Sequence, residues 1–194
     1  MIIRSFISIE LSKTIKSNLI KIQNFLKTSN SDVKWEKQEN HHLTLLFLGN
    51  IDESQLKQII PTLNNAMKNF PSFKIKLENI NILPNLQDPR VIWLGVSNEK
   101  EKIIYLHNLI AKELKNIGVK TEKRKFSPHI TLGRIKSNVK INKLITLIRN
   151  IKTSNISNID DFKVKQISLM KSILMPKGSI YIPLENFNLE GKNA

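Results

Sequence analysis

The tetrapeptide His-x-Thr-Leu occurs twice in this chain, as His42-Leu43-Thr44-Leu45 and as His129-Ile130-Thr131-Leu132, 87 residues apart, and it takes two of the four histidines. The chance of such a recurrence is roughly one in ten thousand, far below that of a single short match. Duplication is the better reading, and it limits the architecture to one built from two related halves, each carrying one copy.

The surrounding sequence repeats with the same period. Residues 2 to 10 alternate as a strand, Ser12 is placed to cap a helix in which Ile15, Leu19, Ile22 and Leu26 recur at helical spacing, and the first motif lies in an apolar run, HLTLLFLG, that reads as a strand. Further on, Arg90 to Val96 read as a buried strand, Ile103, Leu106, Ile110, Leu114 and Ile117 stripe a helix stopped by Gly118, and FSPHITLGR supplies the second motif strand. Strand, helix and motif strand therefore occur twice. Residues 54 to 70 show a helical pattern broken by Pro61, and residues 73 to 82 alternate as a strand with a slip near Asn79. A shorter helix is expected from about Ile141 to Ile151, and VKQISLM and SIYIPLENF form a hairpin turning around Pro176-Lys177-Gly178. No low-complexity linker divides the chain. The expected class is α+β, a single domain over residues 1–194 in two similar lobes of mainly antiparallel sheet with outer helices.

Strand periodicity orients the motifs. Residues i and i+2 share a face, so each His projects with its Thr, while Leu43, Leu45 and Phe47 in the first copy, and Ile130 and Leu132 in the second, lie on the opposite face and suit a core. Two such strands facing one another present two imidazoles and two hydroxyls to one cleft. Histidine titrates near neutrality, so one imidazole can take a proton while the other, still protonated, gives one. That pair fits in-line displacement at phosphorus, where the attacking and leaving oxygens lie on opposite sides. The hydroxyls are placed to hold the non-bridging phosphate oxygens as charge develops. No metal is needed; a zinc site normally wants three protein ligands, and a third is not evident because His41 points to the other face of the strand.

Composition removes other chemistries. With no Cys, disulfides, thiolate nucleophiles and Cys-based zinc sites are excluded, and a reducing, cytoplasmic setting is expected. The opening MIIRSFISIE is interrupted too soon by Arg4 and Glu10 for a signal peptide, no run of eighteen apolar residues is present, and no membrane association is expected. The formal net charge of +15 attracts polyanions without naming a reaction.

The two tetrapeptides, together with RSFISIEL, WEKQENHHLTLLFLG, PNLQDPRVIWLGV, KFSPHITLGRIK and SLMKSILMPKGSIYIPLENFNL, resemble the RNA 2′,3′-cyclic phosphodiesterases, also called LigT-like or 2′-5′ RNA ligase proteins, within the two-histidine phosphoesterase superfamily. The resemblance spans nearly the whole chain. It implies two pseudo-two-fold-related α+β lobes around a central cleft. It also implies His42 as proton donor to the leaving oxygen, His129 as proton acceptor that activates water, and Thr44 and Thr131 as phosphate-binding hydroxyls. The implied reaction opens a terminal 2′,3′-cyclic phosphate on RNA to a 2′-phosphomonoester, with no cofactor and no metal. The implied partners are RNA ends, tRNA fragments among them, met by a monomer. Weak 2′-5′ ligation is the reverse reaction, and a non-catalytic RNA-binding module is the alternative. Departures from the family pattern are Gln38, where Pro is frequent, and His41, where Leu is usual.

Other candidates have defined expectations. Phe126, beside Ser127-Pro128, is placed to stack a terminal base, with Trp35 and Phe47 as further aromatic candidates; Phe47 is assigned to the core because it lies on the non-His face. Arg134 falls on the face opposite His129, so phosphate contact there requires a twist or strand end. Lys123, Arg124 and Lys125 form a basic run before the second motif that can steer an RNA backbone. His107 lies on the apolar stripe of its helix as a structural histidine, and Arg90 is expected in an ion pair beside a strand.

Overall fold

In the computed structural model, which describes residues 2–97, 99–121, 126–151, 161–176 and 178–191, both expected strand-helix-strand units form. In the first, β1 (Ile2–Glu10) leads through α1 (Lys13–Lys27), β2 (Val33–Trp35) and a 3-10 turn (Gln38–Asn40) to the motif strand β3 (His42–Asp52). Then come α2 (Glu53–Lys68) and β4 (Phe73–Pro84), and the second unit follows as β5 (Pro89–Ser97), α3 (Lys100–Asn116) and the motif strand β6 (His129–Ile135). The chain continues with α4 (Ile141–Asn150), β7 (Phe162–Val164) and the hairpin of β8 (Gln166–Met175) and β9 (Gly178–Asn188). Ser12 caps α1 by accepting the backbone N–H of Ile15, and Asp52 and Gln55 form a capping box at the start of α2. Gly118 ends α3 with a φ of 79°, a conformation that favours glycine.

One expectation is corrected here: α2 runs unbroken through Pro61. Its buried stripe is Ile59, Leu63 and Met67, whereas Pro61 and Lys57 are exposed. The carbonyl that loses its partner to proline lies on the solvated side, which makes the defect tolerable.

The nine strands form one sheet in the order β7-β4-β5-β6-β3-β1-β8-β9, with β2 added on β6, and every pairing between them is antiparallel. The order repeats about its centre: β1 lies beside β3 as β5 lies beside β6. At that centre the motif strands are joined through Leu43 paired with Ile130. The two copies are therefore side-by-side neighbours, and extending the register by one residue sets His42 level with Thr131 and Thr44 level with His129.

Each motif strand also carries a bulge at the same place. In β3, Thr44 pairs with Ser8 and Leu46 with Ile7, leaving Leu45 as the extra residue; in β6, Thr131 pairs with Trp93 and Gly133 with Ile92, leaving Leu132 extra. Burial follows the slip, since Leu45 and Leu46, and likewise Leu132 and Gly133, are consecutive buried residues. An extra residue shifts everything beyond it to the other face. Slipping near Asn79 is also observed, as a register shift between Leu77 and Ile80.

Behind the motifs, Leu43, Leu45, Leu46, Ile130 and Leu132 join Leu19, Leu26, Ile59, Leu63, Ile103, Leu106 and Ile110 of the helices in one core. Each such side chain contributes about 1.5–3 kcal/mol by leaving water. Gly133 is needed where β2 closes on β6: a Cβ there would lie 2.8 Å from Val33 Cγ1 and 3.1 Å from Trp35 Cε3. Valine is stiff and cannot swing aside. Gly133→Ala is expected to cost about 1–3 kcal/mol, lowering Tm by about 2–4 °C for each kcal/mol in a chain of this size. An unchanged melting curve would show that β2 yields freely.

Candidate active site

The two motif histidines are oriented by the same device. Nδ1 of His42 lies 2.7 Å from the carbonyl oxygen of Asn40, and Nδ1 of His129 lies 2.7 Å from that of Ser127. A carbonyl can only accept, so in both rings Nδ1–H donates and Nε2 is left for chemistry. Nε2 of His42 lies 2.9 Å from Thr44 Oγ1. Both histidines and both threonines are half-buried, against the fully buried Leu43 and Ile130 between them.

Aromatic rings fix the imidazoles laterally. Phe6 stacks on His42 with centroids 4.9 Å apart, and Tyr181 meets the same ring edge-on at 5.2 Å. Trp93, paired with Thr131, sets its indole edge-on to His129 at 5.7 Å. Tyr181 comes from β9 and reaches the site because Asn40 Nδ2 donates to the Ser179 carbonyl at 2.9 Å. Asn40 thus aims His42 with its carbonyl and tethers the tail hairpin with its side chain.

Charge distinguishes the two histidines. Glu10 stands opposite His42 in the register, whereas Gly95 stands opposite His129. Glu10 accepts from Ser8 Oγ at 2.9 Å and pairs with Lys16 Nζ at 3.3 Å. Burial holds the His42 pKa below the ordinary imidazole value; the bond to Asn40 and the charge of Glu10 oppose this, and Lys16 and His129 add to it. The pairing of Leu43 with Ile130 is what sets the two imidazoles on neighbouring strands. Burial raises the Tyr181 pKa, with Glu36 adding to it and the bond to Ser179 and the charges of Arg134 and Arg4 opposing it.

Several sequence assignments change. Phe47 is 51% exposed and approaches Phe6 with centroids 6.0 Å apart: the bulge at Leu45 moves it from the core face to the His face. Arg134 is carried to the His129 face by the bulge at Leu132, and its Nε lies 3.9 Å from Glu36 Oε1. Phe126, expected to stack a base, instead stacks on His107 of α3 with centroids 4.2 Å apart, and packs against the core. Trp35 also packs against the core, beside Gly133. His107 is structural as expected, Nδ1–H donating to the Leu45 carbonyl at 2.8 Å, and Arg90 forms its expected ion pair with Asp88 at 2.8 Å. Lys123, Arg124 and Lys125 lie outside the described residues.

Sequence reasoning missed Phe6, Glu10, Trp93 and Tyr181. Alternation along β1 places Phe6, Ser8 and Glu10 on one face, a signal available before the structure; nothing local marks Tyr181. Among the described residues, no group of three or more His, Cys, Asp or Glu could hold a metal ion, and no helix is long and apolar enough to cross a membrane.

His41 points away from the cleft as expected and is 1% exposed, with Nε2 3.1 Å from Nε2 of the buried Gln23. Burial, Lys16 and His42 lower its pKa to about 4, against a smaller opposing effect of Glu39. The unfolded chain therefore takes up this proton near the ordinary value of 6.5 while the folded chain resists until about 4. Stability is full above the unfolded value and falls as pH drops through that window, by up to about 3 kcal/mol. Denaturant titrations of the wild type and His41→Leu between pH 7 and 4 measure it; equal pH slopes would refute the assignment.

Comparison with known proteins follows the same duplication. The LigT like Phosphoesterase family matches this chain over residues 9–93 and again over 94–181, so each match holds one His-x-Thr-Leu. The RNA 2′,3′-cyclic phosphodiesterase of Methanothermobacter thermautotrophicus is 31% identical over 189 residues, covering 97% of this chain and 100% of its own. That of Methanocaldococcus jannaschii is 35% identical over 178 residues, 92% of this chain and 96% of its own. The fold is similar to the crystal structure of TT0787 of Thermus thermophilus, with a TM-score of 0.80 at 23% identity, covering 98% of this chain and 100% of that one.

Proposed function

This chain belongs to the LigT-like phosphoesterase family, and on that premise we propose that it hydrolyses 2′,3′-cyclic phosphate ends of RNA to 2′-phosphomonoesters, without a metal. The observation that carries this reading is the pair of identically oriented imidazoles on adjacent, duplicated strands. Nε2 of His129 takes a proton from water as the water oxygen bonds to phosphorus. The bond from phosphorus to the ribose 3′ oxygen breaks, and His42 gives its Nε2 proton to that oxygen.

Glu10 supports this division of labour, because a carboxylate opposite His42 favours its imidazolium while His129 faces a glycine. Burial favours neutral His42. The negative charge of a bound phosphodiester works the other way and favours the imidazolium that an acid needs. Thr44 and Thr131 hold the non-bridging oxygens, and Arg134 adds positive charge beyond Thr131. Exposed Phe47, rather than Phe126, offers a face for a terminal base.

The chain acts as a single bilobal domain over residues 1–194, a cytoplasmic monomer whose substrates include tRNA fragments. Weak 2′-5′ ligation uses the same four side chains, with an RNA 5′ hydroxyl attacking in place of water. The test offers cyclic-phosphate-ended RNA in the presence of EDTA and locates the product phosphate. Retained activity with the phosphate on the 2′ oxygen is expected. A 3′-phosphate product, or loss of activity with EDTA, would contradict the proposal, and binding without turnover from pH 5 to 9 would favour a non-catalytic RNA-binding module.

A further inference from the structure

The bulged residues Leu45 and Leu132 have no partner in the registers with β1 and β5, yet each carbonyl is met by a side chain from a helix. His107 of α3 donates Nδ1–H to Leu45 at 2.8 Å, and Gln23 of α1 donates Nε2–H to Leu132 at 2.7 Å, where the Glu36 backbone N–H also donates at 3.0 Å. The two helix positions are equivalent. Gln23 follows Ile22 within the stripe Leu19, Ile22, Leu26, and His107 follows Leu106 within the stripe Ile103, Leu106, Ile110. The contacts run crosswise: the helix of each half serves the motif strand of the other half.

We propose that Gln23 and His107 are a matched pair of positioning residues, each fixing the bulge in the opposite half, and that together they set the placement of the two motif strands during catalysis. The bulges turn Phe47 and Arg134 onto the face of the imidazoles, and they begin one residue beyond Thr44 and Thr131. A bulge free to relax would move the threonine hydroxyls relative to Nε2 of the histidines. Gln23 is fully buried; its amide also donates to the Glu36 carbonyl at 2.9 Å and lies 3.1 Å from His41 Nε2. Among the described residues, His107 meets the Leu45 carbonyl through Nδ1 and the Phe126 ring by stacking, so the test must separate the hydrogen bond from the ring contact.

This inference rests on the hydrolase reading above, and two substitutions in the full chain separate it from simple packing. His107→Phe keeps a ring against Phe126 and removes the donor; His107→Gln removes the ring and keeps a donor, the one used at the equivalent position 23. With a nucleoside 2′,3′-cyclic phosphate as substrate, well below the Tm of both variants, His107→Phe is expected to lose roughly tenfold or more in kcat, with a smaller change in KM. His107→Gln is expected to restore kcat to within about threefold of wild type. Wild-type kcat in His107→Phe, or a loss in His107→Gln as large as that in His107→Phe, would overturn the assignment. Backbone amide shifts of Leu46 and Phe47 report on the clamp without turnover: they move in His107→Phe and return towards wild type in His107→Gln if the clamp exists, and unmoved shifts in both refute it. A wild-type protein inactive on the substrate would sink the hydrolase reading alone, leaving those shifts to decide the clamp.

Discussion

His42→Ala and His129→Ala each lower kcat for opening a 2′,3′-cyclic phosphate by about a hundredfold to ten-thousandfold, the range a general acid or base supplies. Both rings are half-buried on the cleft face of the sheet rather than in its core, so neither loss should unfold the chain. His42 does sit between Phe6 and Tyr181, and its removal leaves space there, which makes a Tm measurement the necessary companion to the rates. The two effects should not add, because both imidazoles act in one displacement; the double variant should be little worse than the poorer single one. Arg90→Ala, which removes an exposed ion pair with Asp88, is the control. Rates equal to wild type in either histidine variant would remove the paired-imidazole mechanism.

Thr131→Val is expected to lower kcat by about a hundredfold to a thousandfold, the cost of losing one donor to developing oxyanion charge. Valine matches the shape of threonine, and residue 131 is half-buried between Leu132 and Ile130, so packing changes little. Thr44→Val should lose a similar factor and also displace the pH profile, because Thr44 Oγ1 lies 2.9 Å from Nε2 of His42, whereas the bond that holds His129 runs from Nδ1 to Ser127. Steady-state rates across pH separate the two. A Thr131→Val enzyme with unchanged kcat would show that this hydroxyl does not meet the transition state.

Much of this arrangement is legible in the sequence because repetition and period are robust signals. The duplicated tetrapeptide, the helical stripes through Leu19 and Ile103, and the shared face of His and Thr all survive into the structure. What periodicity misses is a change of phase. In LTLLFLG the residues from Leu45 to Leu48 are all apolar, so the extra Leu45 leaves no polar mark after Thr44, and strict alternation sends Phe47 to the wrong face. In TLGRI the same slip brings Arg134 to the cleft, and the only hint is the glycine, whose missing Cβ makes room for Val33. Pro61 misleads for the opposite reason: a strong local breaker is outweighed by the buried stripe of Ile59, Leu63 and Met67. Tyr181 was beyond reach because its place depends on a tether between Asn40 and Ser179, residues far apart in the chain.

Cocrystallisation with vanadate, which adopts the five-coordinate geometry of in-line displacement, tests the central claim most directly. The paired imidazoles should bracket one vanadium, with Nε2 of His42 and Nε2 of His129 each within about 3.2 Å of an apical oxygen on opposite sides. Vanadate contacted by one imidazole alone, or by both from the same side, would contradict it.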